Sequence, residues 1–102
     1  MLIKEKFMKR KFIKLTEIKE LSGGYAGSPN KYELGEIYVN SKDTTLVKDA
    51  SFLKKKIKQH RAWPAGLDER IYITELGLKT GLSVFVIAAA HDVVKEMERS
   101  NE

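Results

Sequence analysis

Alternation of apolar and polar side chains begins at Phe12, where FIKLTEI sets Ile13 and Leu15 against Lys14 and Thr16. A period of two is the pattern of a half-buried strand. Phe12 and Ile18 fall on the opposite face, which predicts some cover on both sides. GEIYVN at 35–40 repeats the pattern, with Ile37 and Val39 opposed to Tyr38. DTTLVKD at 43–49 sets Thr45 and Val47 against Leu46, and the polar NSKD between the two strands predicts a tight turn and hence a meander. ERIYITELGL and LSVFVIAA flank turn residues at LKTG and predict a hairpin. Its second strand carries Val84 and Val86 on one face and Phe85 and Ile87 on the other, as a central strand covered twice would.

Two stretches leave this period. SFLKKKIKQH carries Phe52, Leu53 and Ile57 at spacings that make one face of a short basic helix near 51–60, capped by Ser51. HDVVKEMERS places Val93, Val94 and Met97 at helical spacing, with Asp92 in the first turn and Arg99 near the end, the charge order that suits a helix dipole. The reading is an α+β domain over residues 11–102. It has a mainly antiparallel sheet of about five strands, built as a meander plus a hairpin, and a C-terminal helix packed on it. Residues 1–10 form a basic arm.

Two segments are connections. LSGGYAGSPN at 21–30 is rich in glycine, serine, proline and asparagine and predicts an irregular loop, and neither GxGxxG nor GxxxxGK[ST] is present to make it a phosphate cradle. HRAWPAGLDER at 60–70 holds the only tryptophan in the chain just before Pro64 and Gly66, which interrupt any regular period. Trp63 there is either a plug against Leu67 and Phe52 or part of a binding surface.

Charge sharpens the second choice. The net charge is +5, with basic residues grouped at 4–14 and again at 54–61, where Lys54, Lys55, Lys56, Lys58, His60 and Arg61 follow one another closely. A nucleotide needs a flat surface for its base and cationic donors for its phosphates. Arg61, Trp63, Arg70 and Tyr72 supply those types within a dozen residues, and are the candidate ligand-binding set beside the basic surface of Lys54, Lys55, Lys56, Lys58 and His60.

Catalysis has little to work with. No cysteine is present, no serine sits in a G-x-S-x-G elbow, and Asp68 and Glu69 are adjacent and so diverge in an extended segment. His60 stands beside Arg61, and His91 opens a helix, where it serves for capping or packing rather than as a base. The two histidines lie far apart with no carboxylate at metal-motif spacing, so neither a metal nor another cofactor is expected. No stretch approaches the ~20 apolar residues of a membrane span and no secretory signal is legible, which places the protein in the cytoplasm.

The stretches KFIKLTEI at 11–18, GEIYVNSKDTTLV at 35–47, RIYITELG at 70–77 and SVFVIAAAHDVVKEM at 83–97 together resemble the FlbD-like proteins. These are small proteins of flagellar operons and of phage and prophage genomes. The resemblance implies an opening strand, an I-x-V-N strand and a closing strand that runs into a helix. The glycine-rich segment at 21–34 and the basic loop at 50–69 depart from that frame, and loops are where binding function tends to be placed. The layout is also similar to the phage anti-Thoeris sponges, which bind cyclic ADP-ribose-type signals without cleaving them. That likeness implies a non-enzymatic, phage-encoded protein, acting in the host cytoplasm, that sequesters an anionic nucleotide-type ligand.

Two other partners fit the same residues: nucleic acid, through 4–14 and 54–61, and a host protein, docked by an accessory factor through a sheet edge or Trp63. A sheet of this size with little surplus core leaves an edge or face uncovered, which predicts a homodimer or larger homo-oligomer.

Overall fold

The computed structural model describes residues 12–21 and 31–100; the basic arm at 1–10 and the glycine-rich loop at 22–30 lie outside the described residues. Elements follow in the order β1 (Phe12–Leu21), β2 (Lys31–Asn40), a 3-10 turn (Ser41–Asp43), β3 (Thr44–Asp49), α1 (Ser51–Gln59), β4 (Ile73–Leu78), β5 (Ser83–Ile87) and α2 (Ala90–Ser100). The architecture is α+β, a five-stranded antiparallel sheet in the order β2-β1-β5-β4-β3 with two helices, one of them C-terminal. Among the described residues no helix is long and apolar enough to cross a membrane.

The strand order corrects the expected meander. β2 and β3 are consecutive in the chain but lie at opposite edges of the sheet. Four trans peptide steps of ~3.8 Å separate Asn40 from Thr44, whereas four strand spacings in a flat sheet amount to ~19 Å. The connection is tighter still: the Asn40 side chain accepts from the Lys42 N–H at 2.9 Å, and the Thr44 hydroxyl donates to the Asn40 carbonyl at 3.2 Å. The sheet must therefore curl until its two edges nearly meet at this corner. Asp43 O accepts from Lys79 N at 2.8 Å, which fastens the corner to the β4–β5 turn and commits β3 to β4 rather than to β2.

The curl makes one core inside and a second outside. Ile13, Val39, Leu76, Val86, Val93 and Met97 are buried together, with Leu15, Ile37, Val47, Leu78 and Val84 packed around them, so every strand contributes to the concave side and α2 fills it. On the convex side, Ile18, Ala50, Leu53, Ile57 and Ile73 are buried beneath α1, joined by Tyr32, Trp63, Ile71, Phe85 and Ile87. The two-sided cover expected for β1 and β5 is thus present. Thr74 is fully buried and donates its hydroxyl to Ala88 O at 2.6 Å.

Several boundaries differ from the expectation. β2 starts at Lys31 rather than Gly35 and pairs with β1 without interruption from Phe12↔Asn40 to Leu21↔Lys31. Val94 and Phe52 have the right period but are 41% and 58% exposed, because Val93 with Met97 and Leu53 with Ile57 already fill the two helix seams. The N-cap of α1 is Ala50, which has no capping side chain, and Ser51 is the first helical residue; Asp49, just before the cap, accepts from both Ser51 N and Ser51 Oγ with its Oδ2. β3 approaches β4 so closely that a Cβ on Gly77 would lie 3.0 Å from the Leu46 Cβ, which accounts for glycine there.

Candidate functional site

Helix α1 ends by a Schellman arrangement that sets up the whole candidate surface. Ala62 N donates to Ile57 O at 3.1 Å and Arg61 N to Lys58 O at 3.0 Å, the paired bonds that close a helix C-terminus. Ala62 and Ile57 also share the convex cluster, the apolar contact that accompanies this motif. The residue that must turn left-handed is Arg61, with φ 53°, at a position glycine usually fills. Arg61 is the single non-glycine residue with positive φ among the described residues, and its side chain is exposed.

Beyond it the chain makes two turns. Leu67 N bonds to Pro64 O with Gly66 at φ 81°, the conformation of a type II turn that requires glycine at its third position. Trp63 folds back over this turn: its Nε1 donates to Leu67 O at 2.8 Å and its half-buried ring packs on the convex cluster. Lys58 Nζ sits 5.7 Å from the ring centroid. Trp63 thus makes the contact with Leu67 expected of a plug, whereas the Phe52 ring meets Phe85 edge-on. A ring whose N–H is committed inward and which carries a lysine ammonium nearby has lost much of its use as a stacking platform.

The second turn closes through Ile71 N and Asp68 O, and Asp68 then takes most of what Arg70 offers. Oδ1 accepts from Arg70 N at 2.8 Å and Arg70 Nε at 3.2 Å, and Oδ2 accepts from the other guanidinium nitrogen at 2.9 Å. These bonds hold the Asp68 carboxyl below its ordinary range and raise Arg70. Arg70 is nonetheless 90% exposed, so the pair lies open to solvent. Tyr72, the last of the candidate ligand-binding residues, precedes β4 and is 62% exposed.

The basic surface is partly neutralised from outside its own segment. Lys56 pairs with Glu20 of β1 at 3.4 Å and Lys58 with Glu69 at 3.6 Å, so Asp68 and Glu69 serve different cations, in keeping with the expectation that they diverge. His60 Nδ1 lies 3.3 Å from the Tyr32 hydroxyl, whose O–H donates to Glu20 Oε2 at 3.4 Å, and the two rings stack at 6.3 Å. Burial, then the nearby Glu20, raises the Tyr32 hydroxyl above its ordinary pKa. Lys55 and Arg61 have no hydrogen-bond or ion-pair partner among the described residues, while the half-buried Lys54 acts electrostatically on the Asp68 carboxyl. Arg61, Trp63, Arg70 and Tyr72 are not joined to one another by any hydrogen bond, ion pair or ring contact. The four lie along one stretch of chain, from the end of α1 to the start of β4.

His91, expected to cap or pack, does neither: it is exposed, with Nε2 3.0 Å from Asp92 Oδ1. Among the described residues no group of three His, Asp or Glu side chains is arranged to hold a metal ion. Sequence reasoning missed the Tyr32–His60–Glu20 cluster, which depends on the β1–β2 register and has no local signal. It also missed the conformation of Arg61, for which the absence of a glycine after the helix was the one available sign. Neither a family model, nor a curated protein, nor a solved structure matches this chain significantly.

Proposed function

We propose that the protein is a non-catalytic binding module which captures an anionic, nucleotide-type ligand on the surface made by α1 and the loop leading into β4. The observation that carries this reading is Arg61. A left-handed conformation at a non-glycine residue costs about 1–2 kcal/mol relative to the right-handed one, and such strain is concentrated at functional sites. Here it holds an exposed guanidinium at the end of a helix that also presents the exposed Lys55, with the half-buried Lys54 acting on the Asp68 carboxyl. The same loop carries the exposed Tyr72 ring and the Asp68–Arg70 pair, from which a phosphate can draw the guanidinium. Trp63 supports the loop from below. Sequestration of a signalling nucleotide in the host cytoplasm, as the resemblance to phage sponges and FlbD-like proteins suggests, is the role that suits binding residues without a nucleophile or a base.

Nucleic acid is the second reading, favoured by the run of Lys54, Lys55, Lys56 and Lys58 along α1. The two readings part on salt: each neutralised backbone phosphate lowers log K by about 0.7–0.9 per decade of salt, so an extended polyanion loses affinity far faster than a ligand with one or two phosphates. Thermal unfolding of the full chain, with mononucleotides, cyclic dinucleotides, cyclic ADP-ribose isomers and a short oligonucleotide at low and high salt, tests both. Ligand at a hundredfold excess over its Kd stabilises by about 2.7 kcal/mol. A salt-tolerant rise in Tm with one small nucleotide, lost in Arg61→Ala, is the expected result; no rise with any of them overturns the proposal.

A further inference from the structure

Between Ala50 and Tyr72 the chain carries Lys54, Lys55, Lys56, Lys58, Arg61 and Arg70 but only two carboxylates, Asp68 and Glu69. Both carboxylates lie in the loop that leads into β4, and each engages a cation of the candidate surface. The two pairs differ. Glu69 meets Lys58 by one contact at 3.6 Å. Asp68 takes Arg70 Nε at 3.2 Å and a terminal guanidinium nitrogen at 2.9 Å, together with the Arg70 backbone N–H at 2.8 Å.

A carboxylate with both oxygens on a guanidinium fork has the geometry in which arginine also takes a phosphate. Beyond these bonds, the charge of Lys54 adds to the hold on Asp68. The Asp68 carboxylate therefore marks a point at which this surface already stabilises an oxyanion, and the chain itself supplies it. The pair is also accessible: the side chains of Arg70 and Asp68 are 90% and 52% exposed, so an incoming anion reaches the guanidinium and meets the carboxylate there.

We propose that Asp68 is an internal competitor for Arg70, an autoinhibitory contact whose carboxylate holds the guanidinium in the free protein and yields it to a phosphate of the ligand. The inference rests on the reading of α1 and the loop into β4 as a site for a nucleotide-type anion. At the guanidinium the exchange is nearly balanced, since one oxyanion replaces another. Net affinity then comes from the groups with no internal partner to displace, Arg61 and Lys55. The Asp68 bonds set a threshold that a ligand must overcome, and a singly charged anion that reaches Arg70 alone gains little by the exchange. For an exposed ion pair the threshold amounts to about a twofold to fivefold loss of affinity.

Asp68→Asn separates the charge from the turn, because asparagine keeps an oxygen for the Arg70 N–H and loses the charge that holds the fork. Isothermal titration of the full chain with ADP as the probe should show affinity rising about twofold to fivefold in Asp68→Asn. In an Arg70→Gln background the same replacement should bring no gain. Glu98→Gln removes an equal charge from an exposed position on α2, on the other side of the sheet, and should leave ADP affinity unchanged. A gain that persists without Arg70, a gain matched by Glu98→Gln, or no gain at all overturns the inference and leaves the site reading intact. If neither the native chain nor Asp68→Asn binds ADP at millimolar concentration, the inference falls together with the nucleotide reading. Should Asp68→Asn fail to fold, Asp68→Ser, whose hydroxyl also serves a turn, makes the same comparison.

Discussion

Replacing Arg61 by glycine separates stability from binding more cleanly than any other change. The φ of 53° costs an L-residue about 1–2 kcal/mol, and glycine removes that cost while adding about 0.5–1 kcal/mol of chain entropy lost on folding. The net is a stabilisation of about 0.5–1 kcal/mol, because the exposed Arg61 side chain makes no hydrogen bond or ion pair whose loss would offset it. At about 4–8 °C per kcal/mol for a domain of this size, Tm should rise by roughly 2–8 °C. Arg61→Ala keeps the strained backbone and should stay within ~0.5 kcal/mol of the native chain. Both variants lose the guanidinium. A charge-assisted hydrogen bond contributes about 1.5–3 kcal/mol, so both should weaken the nucleotide ligand by about tenfold or more. Urea denaturation and isothermal titration on the same preparations supply the two readings. A destabilised Arg61→Gly, or a variant that binds the ligand as the native chain does, would refute the argument that strain at Arg61 is maintained for binding.

Three further outcomes follow from the packing. Trp63→Ala should destabilise by about 2–3 kcal/mol, about half the loss for a fully buried tryptophan plus one hydrogen bond, while Trp63→Phe should cost only about 1 kcal/mol. An effect of Trp63→Ala below ~0.5 kcal/mol in urea denaturation would mean the ring is not a plug. Thr74→Val removes the donor to Ala88 O in a fully buried site and should cost about 1–3 kcal/mol by the same assay, and a neutral result would show that carbonyl to be otherwise satisfied. Asp49 is held below its ordinary pKa, first by the Ser51 hydroxyl and then by the Ser51 N–H. A carboxylate with a depressed native pKa stabilises above its unfolded value of about 3.9, and that contribution fades as pH falls through the native value. The gap in urea midpoint between the native chain and Asp49→Ala should therefore be present near neutral pH and close on acidification; a gap independent of pH would rule out a contribution from the charged Asp49–Ser51 contact.

What could be read from the sequence was local. The β4–β5 hairpin was legible because Val84 and Val86 alternate with Phe85 and Ile87 just after a glycine turn, and both helices were legible from Leu53 with Ile57 and Val93 with Met97. Strand order was not, since the curl that parts β2 from β3 depends on the bond from Lys79 N to Asp43 O, between residues far apart in sequence. The start of β2 was hidden by Gly35, which interrupts an alternation of Tyr32 and Leu34 with Lys31 and Glu33. In the candidate site, Lys55 and Arg61 remain available as their composition suggests, while Lys54 is half-buried and acts on Asp68. Lys56, Lys58 and Arg70 are engaged by Glu20, Glu69 and Asp68. The Asp68–Arg70 bonds had a local sign in the spacing of the two residues, whereas the reach of Glu20 to Lys56 came only with the fold.

The central claim, that α1 and the loop into β4 bind a small anionic nucleotide, is tested most directly by titrating the 15N-labelled full chain with the nucleotide panel and mapping amide shifts. Saturable shifts at Lys54, Lys55, Arg61, Arg70 and Tyr72, retained at high salt, are the expected result. Shifts confined to other parts of the sheet, or none at millimolar ligand, would contradict it.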